Sequence, residues 1–370
     1  MHFRIPALAA FLLVALAARA QGTAPPQLND GWKVADAGRS GWTMSRFAEA
    51  ENKIADGTWK GTTSLLVVHR GALVYENYFN EGGRNHLNDT RSLTKTVTAM
   101  LIGAAIDRGL IPSVQARVFP WFKEHPAPAN PDPRKQAITI EDLLTMSSLL
   151  ECNDENAFSS GNEERMYVTE DWIGFALGLP VKGFPPWETK PADSPHGRAF
   201  AYCTAGSFLL GALVERATGK HLDTFSGEVL EEPLGITKSK WNFAPDGTAM
   251  GGGGTRFRSR DLARLGELLR NQGKWKDAQV LPVAWVRAML SVRAQARDDA
   301  DYGYQIWRFR FPHKGKEEPV WAMSGNGGNY VFIAPQFELV AVITSSAYNQ
   351  RFAHPQSQAI FRDIVLKAMP

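Results

Sequence analysis

The apolar positions change period twice along this chain. Near the start, Ser64-Leu65-Leu66-Val67-Val68, the turn His69-Arg70-Gly71 and Ala72-Leu73-Val74-Tyr75 form a hairpin pattern. Strand character then disappears for more than half the sequence. It returns in the alternation Tyr304-Gln305-Ile306-Trp307-Arg308-Phe309, followed by a second hairpin: Tyr330-Val331-Phe332-Ile333, a turn at Pro335, and Leu339-Val340-Ala341-Val342-Ile343. The intervening pattern is helical. One helix is predicted from Ser92, with Val97, Met100, Leu101, Ala104 and Ala105 on its apolar face and Gly109 as its stop. Others are predicted over 167–179 and over 205–218, closed by Gly219. Thr139-Ile140-Glu141-Asp142 resembles a capping box before Leu143-Leu144. Further amphipathic helices at 42–55 and 356–368 flank the two strand regions.

Strands at both ends around a helical middle imply an α/β protein of α+β type. Its antiparallel sheet is built from both chain ends and flanked by helices, with a mostly helical subdomain inserted. The sheet subdomain is expected at about 42–90 and 250–370, and the helical one at about 91–249. Ser92 falls at their junction, where a cleft is the natural place for a site.

The first residues are different in kind. Met1-His2-Phe3-Arg4, an apolar run over 5–17 and Ala18-Arg19-Ala20 describe a signal peptide over 1–20, cut before Gln21. An uncleaved anchor is the alternative. Residues 21–370 are then expected as a single exported catalytic domain, in the bacterial periplasm or secreted, with no membrane span after cleavage. Of the charges in the whole chain, 41 are basic and 38 acidic, a net of +3, which gives no nucleic-acid footprint. The cluster Arg256, Arg258, Arg260 reads as a solvated loop and helix start. The two cysteines, Cys152 and Cys203, suit a disulfide in an oxidising compartment, with two buried thiols as the alternative. The eight histidines show no paired spacing, so no metal site is expected. Gly251-Gly252-Gly253-Gly254-Thr255 lacks the lysine of a phosphate loop and reads as a flexible loop before a Ser259-capped helix. No cofactor is implied.

The candidate chemistry starts at Ser92-Leu93-Thr94-Lys95, the one place where a lysine follows a serine by three. Residues three apart share a helix face, so Lys95 can reach back to the Ser92 hydroxyl. Serine needs such a base to become a nucleophile, and burial at a helix start lowers a lysine pKa. An N-capping serine followed by a solvated lysine is the bland alternative. Tyr202, at the end of a Pro/Gly-rich loop over 182–198 and its following residues, is a candidate proton relay, or a packed loop tyrosine. Met323-Ser324-Gly325-Asn326-Gly327-Gly328 precedes the second hairpin, where glycines allow close backbone approach by a ligand. A tight turn is the other reading. Asp154, Glu155, Glu163 and Glu164 read as a solvated acidic loop or as groups that set substrate charge preference. His196 reads as a loop histidine near Tyr202.

Ser-x-x-Lys, the tyrosine motif and a Ser-Gly before a hairpin, in that order, resemble the serine β-lactamase and penicillin-binding protein superfamily. The resemblance spans about residues 42–368. It is closest to the class C β-lactamase, carboxylesterase and 6-aminohexanoate-dimer hydrolase branch. It implies a β-lactamase/transpeptidase-like fold, with Ser92 as the acylated nucleophile, Lys95 as its base and Tyr202 as the proton relay. The backbone N–H groups of Ser92 and Asn326 would form the oxyanion hole, and Ser324 and Gly325 would contact substrate. Two departures matter. Tyr202-Cys203-Thr204 stands where Tyr-x-Asn is usual, and Met323 stands where the lysine of Lys-Thr/Ser-Gly would be. A methionine offers no charge to a substrate carboxylate. The expectation is therefore a serine hydrolase of small esters, amides or peptide-like molecules, with no obligate protein partner. A β-lactamase or D-Ala-D-Ala peptidase is the first alternative, and a non-catalytic binding protein the second.

Overall fold

The computed structural model describes residues 24–126, 128–183 and 199–370. The expected signal peptide and His196 lie outside the described residues.

Nine strands form the main sheet. In chain order they are β1 (Lys33–Val34), β2 (Thr62–His69), β3 (Ala72–Tyr78), β4 (Ala294–Arg297), β5 (Ala300–Tyr302), β6 (Trp307–His313), β7 (Lys316–Gly325), β8 (Asn329–Ala334) and β9 (Leu339–Ser345). Across the sheet they run β1-β3-β2-β9-β8-β7-β6-β5-β4. All neighbours are antiparallel except β1 and β3. The two ends of the chain meet at the β2–β9 pair, with Leu66 opposite Val342. Leu65 to Val68 and Leu339 to Ile343 are buried on both faces, which is why these strands read as continuous apolar runs. This is a mixed α/β, mostly antiparallel sheet flanked by helices, as the two hairpin patterns imply.

Helices cover both faces. Val331 and Val340 face helix Ser259–Arg270 at Gly266. Phe332, one residue along and therefore on the other face, stacks on Phe361 of the terminal helical run at 353–368. Helix Met44–Ala55 packs beside that run. We label four helices α1 (Met44–Ala55), α2 (Thr94–Asp107), α3 (Thr204–Thr218) and α4 (Ser259–Arg270). The helical region centres on α2 and α3, which pack on each other. Every residue of α2 from Thr94 to Ala105 is buried, so this helix has no solvent face at its start. The capping box at Thr139 is present, with Asp142 as the returning carboxylate.

Several expectations change. The 304–309 alternation becomes strand only from Trp307, because Gln305 takes φ 54° and its side chain is buried against Leu143 and Leu144 carbonyls. The 167–179 helix is shorter, Trp172–Gly178, capped by Asp171, and a separate turn of helix occupies Glu163–Tyr167. Ser259 does not cap α4; its buried hydroxyl bonds Ser64 at 2.8 Å. Arg260 is not solvated either. It is buried in ion pairs with Asp30 and Glu76, residues far away in sequence. Among the described residues, no helix is long and apolar enough to cross a membrane.

Candidate active site

The serine lies in a tight turn rather than on α2 itself. Arg91–Leu93 forms one 3₁₀ turn that runs directly into Thr94. Arg91 has φ 50°, an unfavourable left-handed conformation for a side chain of this size. The surroundings hold it there: Arg91 N donates to Asp89, while Gly254 N and the Thr94 hydroxyl donate to its carbonyl. Thr90 donates its backbone N–H and its hydroxyl to Thr255 O, at 2.9 and 2.7 Å. Thr94 and Thr255 hydroxyls lie 2.8 Å apart. These buried, neutral bonds fix the half-buried Ser92 from below.

Strand β7 closes the other side. A Cβ on Gly325 would lie 2.0 Å from Thr90 O and 3.3 Å from Leu93 N. Only glycine lets the strand end approach the serine turn so closely. The next residue, Asn326, is anchored by a reciprocal pair with Asn349: its Nδ2 donates to Asn349 Oδ1 at 2.6 Å, and Asn349 N donates to its Oδ1 at 2.8 Å. Ser324 sits opposite Tyr330, whose phenol hydrogen-bonds His354 at 2.8 Å and Gln358 at 3.2 Å. Met323 is fully buried, so it presents neither charge nor surface to a ligand.

Lys95 is 1% exposed, and its Nζ donates to Ser92 Oγ at 3.0 Å and to Gly252 O at 2.6 Å. A carbonyl only accepts, so the Gly252 bond persists when the amine is neutral. The amine lone pair is then free for the serine hydroxyl proton. Burial holds the Lys95 pKa below the ordinary lysine value, against the opposing pull of Glu163 and Asp154. The Gly251-to-Gly254 segment is thus a packed wall and not a flexible loop. A Cβ on Gly252 would meet Thr204 Cγ2 at 2.9 Å.

Tyr202 stands on the third side. Its hydroxyl is close enough to Ser92 for the two to interact, and Lys95 Nζ lies 5.0 Å from its ring centroid. Its ring stacks on Trp307 at 5.6 Å. Burial raises its pKa, with the nearby Ser92 hydroxyl pulling the other way, so the phenol stays protonated near neutral pH. Cys203, the next residue, is disulfide-bonded to Cys152. Asp154 N donates to Tyr202 O at 2.8 Å, and Asp154 Oδ2 accepts from Thr204 N at 2.7 Å.

Ser92 and Asn326 line a cleft of about 720 Å³, and Lys95 and Tyr202 adjoin it through Ser92. Its lining includes Arg91, Glu163, Trp241, Phe243 and Asn349. Among the described residues, no group of three His, Cys, Asp or Glu side chains is placed to hold a metal ion. The sequence pattern did not single out Thr90, Thr255, Gly252 or Asp154's bond to Thr204. Their partners are 50 or more residues away, and no local spacing signals such contacts.

Residues 47–361 match the family model described as Beta-lactamase. The 6-aminohexanoate-dimer hydrolase of Paenarthrobacter ureafaciens is 25% identical over 276 residues. That match covers 72% of this chain and 66% of the relative, just under two thirds of its length. Among solved structures, EstCE1, described as a hydrolase with promiscuous acyltransferase activity, superposes with TM-score 0.66 at 17% identity. It covers 85% of this chain and 97% of that one. A D-stereospecific amidohydrolase from Streptomyces sp. gives TM-score 0.62 at 16% identity, covering 85% and 98%.

Proposed function

The chain belongs to the β-lactamase family, and from that premise we propose that it is an exported serine hydrolase of small esters or amides. The observation that carries this reading is the buried Lys95 amine, 3.0 Å from Ser92 Oγ. A solvated lysine beside a capping serine would need neither that burial nor that contact.

In the proposed reaction, Ser92 Oγ attacks the substrate carbonyl carbon and its proton passes to neutral Lys95. The developing oxyanion meets the backbone N–H groups of Ser92 and Asn326, an interaction worth roughly 3–4 kcal/mol in the transition state. Collapse breaks the acyl–O or acyl–N bond. The proton held by Lys95 moves through the Tyr202 hydroxyl to the leaving group. Because its pKa is raised, Tyr202 works as a neutral phenol that accepts one proton as it gives another. Water then attacks the Ser92 ester by the reverse proton route and releases the acid.

The buried methionine at position 323 supports esters and amides over β-lactams, since the strand offers no cation there. The relative named as a 6-aminohexanoate-dimer hydrolase supports a linear amide as one substrate to try. The Cys152–Cys203 bond supports an oxidising compartment, hence export. The test is a parallel screen of p-nitrophenyl esters, linear aminohexanoate dimer and nitrocefin with wild type and Ser92→Ala. Ester or amide turnover that Ser92→Ala loses is the expected result. Nitrocefin as the preferred substrate would move the assignment to a β-lactamase. Turnover that survives in Ser92→Ala would remove the serine mechanism.

A further inference from the structure

Asp154 belongs to an acidic stretch that reads, from sequence, as a solvated loop. Its carboxylate is instead half-buried and fully engaged. Oδ2 accepts from Thr204 N at 2.7 Å, at the first residue of the 15-residue helix α3. Oδ1 accepts from Glu163 N at 3.0 Å. Its own N–H donates to Tyr202 O at 2.8 Å. The Cys152–Cys203 bond lies between these contacts and joins the same two segments. Residues 152–154 and 202–204 are therefore clasped by a covalent bond and two hydrogen bonds, and one of those hydrogen bonds is made at Tyr202 itself.

We propose that Asp154 is a positioning residue for the serine-hydrolase reaction: its carboxylate fixes the 202–204 segment and so aims the Tyr202 hydroxyl at Ser92. This rests on the reading of Ser92, Lys95 and Tyr202 given above. The carboxylate has a second effect, because it is close enough to act on both Lys95 and Tyr202 electrostatically. Burial pushes its own pKa up to about 6, with Lys95 drawing it back down. The groups facing it are Lys95 on α2, Glu163 and Tyr167 on their short helix, and Tyr202. Ionised Asp154 favours the ammonium form of Lys95. Removing that charge lowers the Lys95 pKa and moves the acid limb of kcat/KM to lower pH.

The test compares wild type with Asp154→Asn in the full chain, with p-nitrophenyl ester turnover and fluorophosphonate labelling measured across pH. Asparagine keeps the size but loses the charge and one acceptor. The expected result is a plateau kcat lower by about 10- to 100-fold, with KM changed far less and the acid limb displaced downward. A purely structural cap would lower the folded fraction without moving the limb. A second measurement needs no variant of Asp154. In ¹³C-lysine wild-type protein, with Lys95 assigned by its loss in Lys95→Met, its Cε resonance should respond in a step at about pH 6 as Asp154 titrates. A reactive wild type matched by Asp154→Asn in rate and limb, or a Lys95 resonance without that step, overturns this inference alone. A folded wild type with no Ser92 reactivity overturns the hydrolase reading and this inference together.

Discussion

Two walls hold the Ser92 site, and they are built from different materials. The turn wall consists of the 90–94 turn, Thr255 and the glycine end of β7. Its bonds among Thr90, Thr94 and Thr255 are neutral, buried hydroxyl and backbone contacts, with one exposed bond from Arg91 N to the Asp89 carboxylate at its rim. The loop wall consists of 152–154 and 202–204, held by a disulfide and a carboxylate. Neutral buried bonds respond to neither pH nor reductant within the physiological range. A disulfide and an acid with a raised pKa respond to both. The nucleophile and its base are thus set on rigid ground, and the proton relay is set on ground that chemistry can loosen.

Substitutions separate the walls. Lys95→Met removes the shared base and should cost the most, on the order of 10² to 10⁴ in kcat, read by ester turnover. Gly325→Ala attacks the turn wall alone. Its Cβ would meet Thr90 O at 2.0 Å, so the turn or the strand must move. A loss of about 10²-fold in kcat and about 1–3 kcal/mol in denaturant stability is expected. Cys152→Ser with Cys203→Ser attacks the loop wall. The bridge closes a 51-residue separation, for which the chain-entropy model gives about 4 kcal/mol of stability. Its effect on kcat should stay below that of Gly325→Ala, and reduction of the wild type should reproduce it. Equal kcat losses from the two lesions would end the distinction between the walls. Tyr330→Phe, which takes the phenol from His354 and from Gln358, should cost only about 1 kcal/mol, measured by urea unfolding.

The pH dependence sharpens the same contrast. Lys95 acts as base only when neutral, so the rate should rise with pH and level off above its pKa. Burial lowers that pKa, so the plateau should be reached below the ordinary lysine range. Gly325→Ala should lower the plateau and leave the midpoint in place, since it adds no charge.

The Ser92–Lys95 pair was legible in sequence, while the threonine and glycine contacts of the turn wall were not. Ser92 and Lys95 are three residues apart, and helical spacing alone brings them together. The β2–β3 and β8–β9 hairpins were legible for the same reason, because their partners are neighbours in the chain. Strand β7 escaped notice because it opens Lys316-Glu317-Glu318-Pro319, an exposed polar start that hides the buried stretch from Val320 to Met323. Gln305 looked like part of an alternating strand, but tertiary hydrogen bonds hold it in a left-handed turn. Arg260 and Asp154 looked solvated because their partners are far along the chain. Charge in a sequence window says nothing about a counter-charge or an N–H group that folding will bring to it.

The nucleophile is the point on which both walls converge. Folded wild-type protein treated with a fluorophosphonate should gain one adduct by intact mass, and peptide mapping should place it on Ser92, with Ser92→Ala unlabelled. A folded wild type that gains no adduct, or one whose adduct persists in Ser92→Ala, would contradict the assignment of Ser92 as the reacting group.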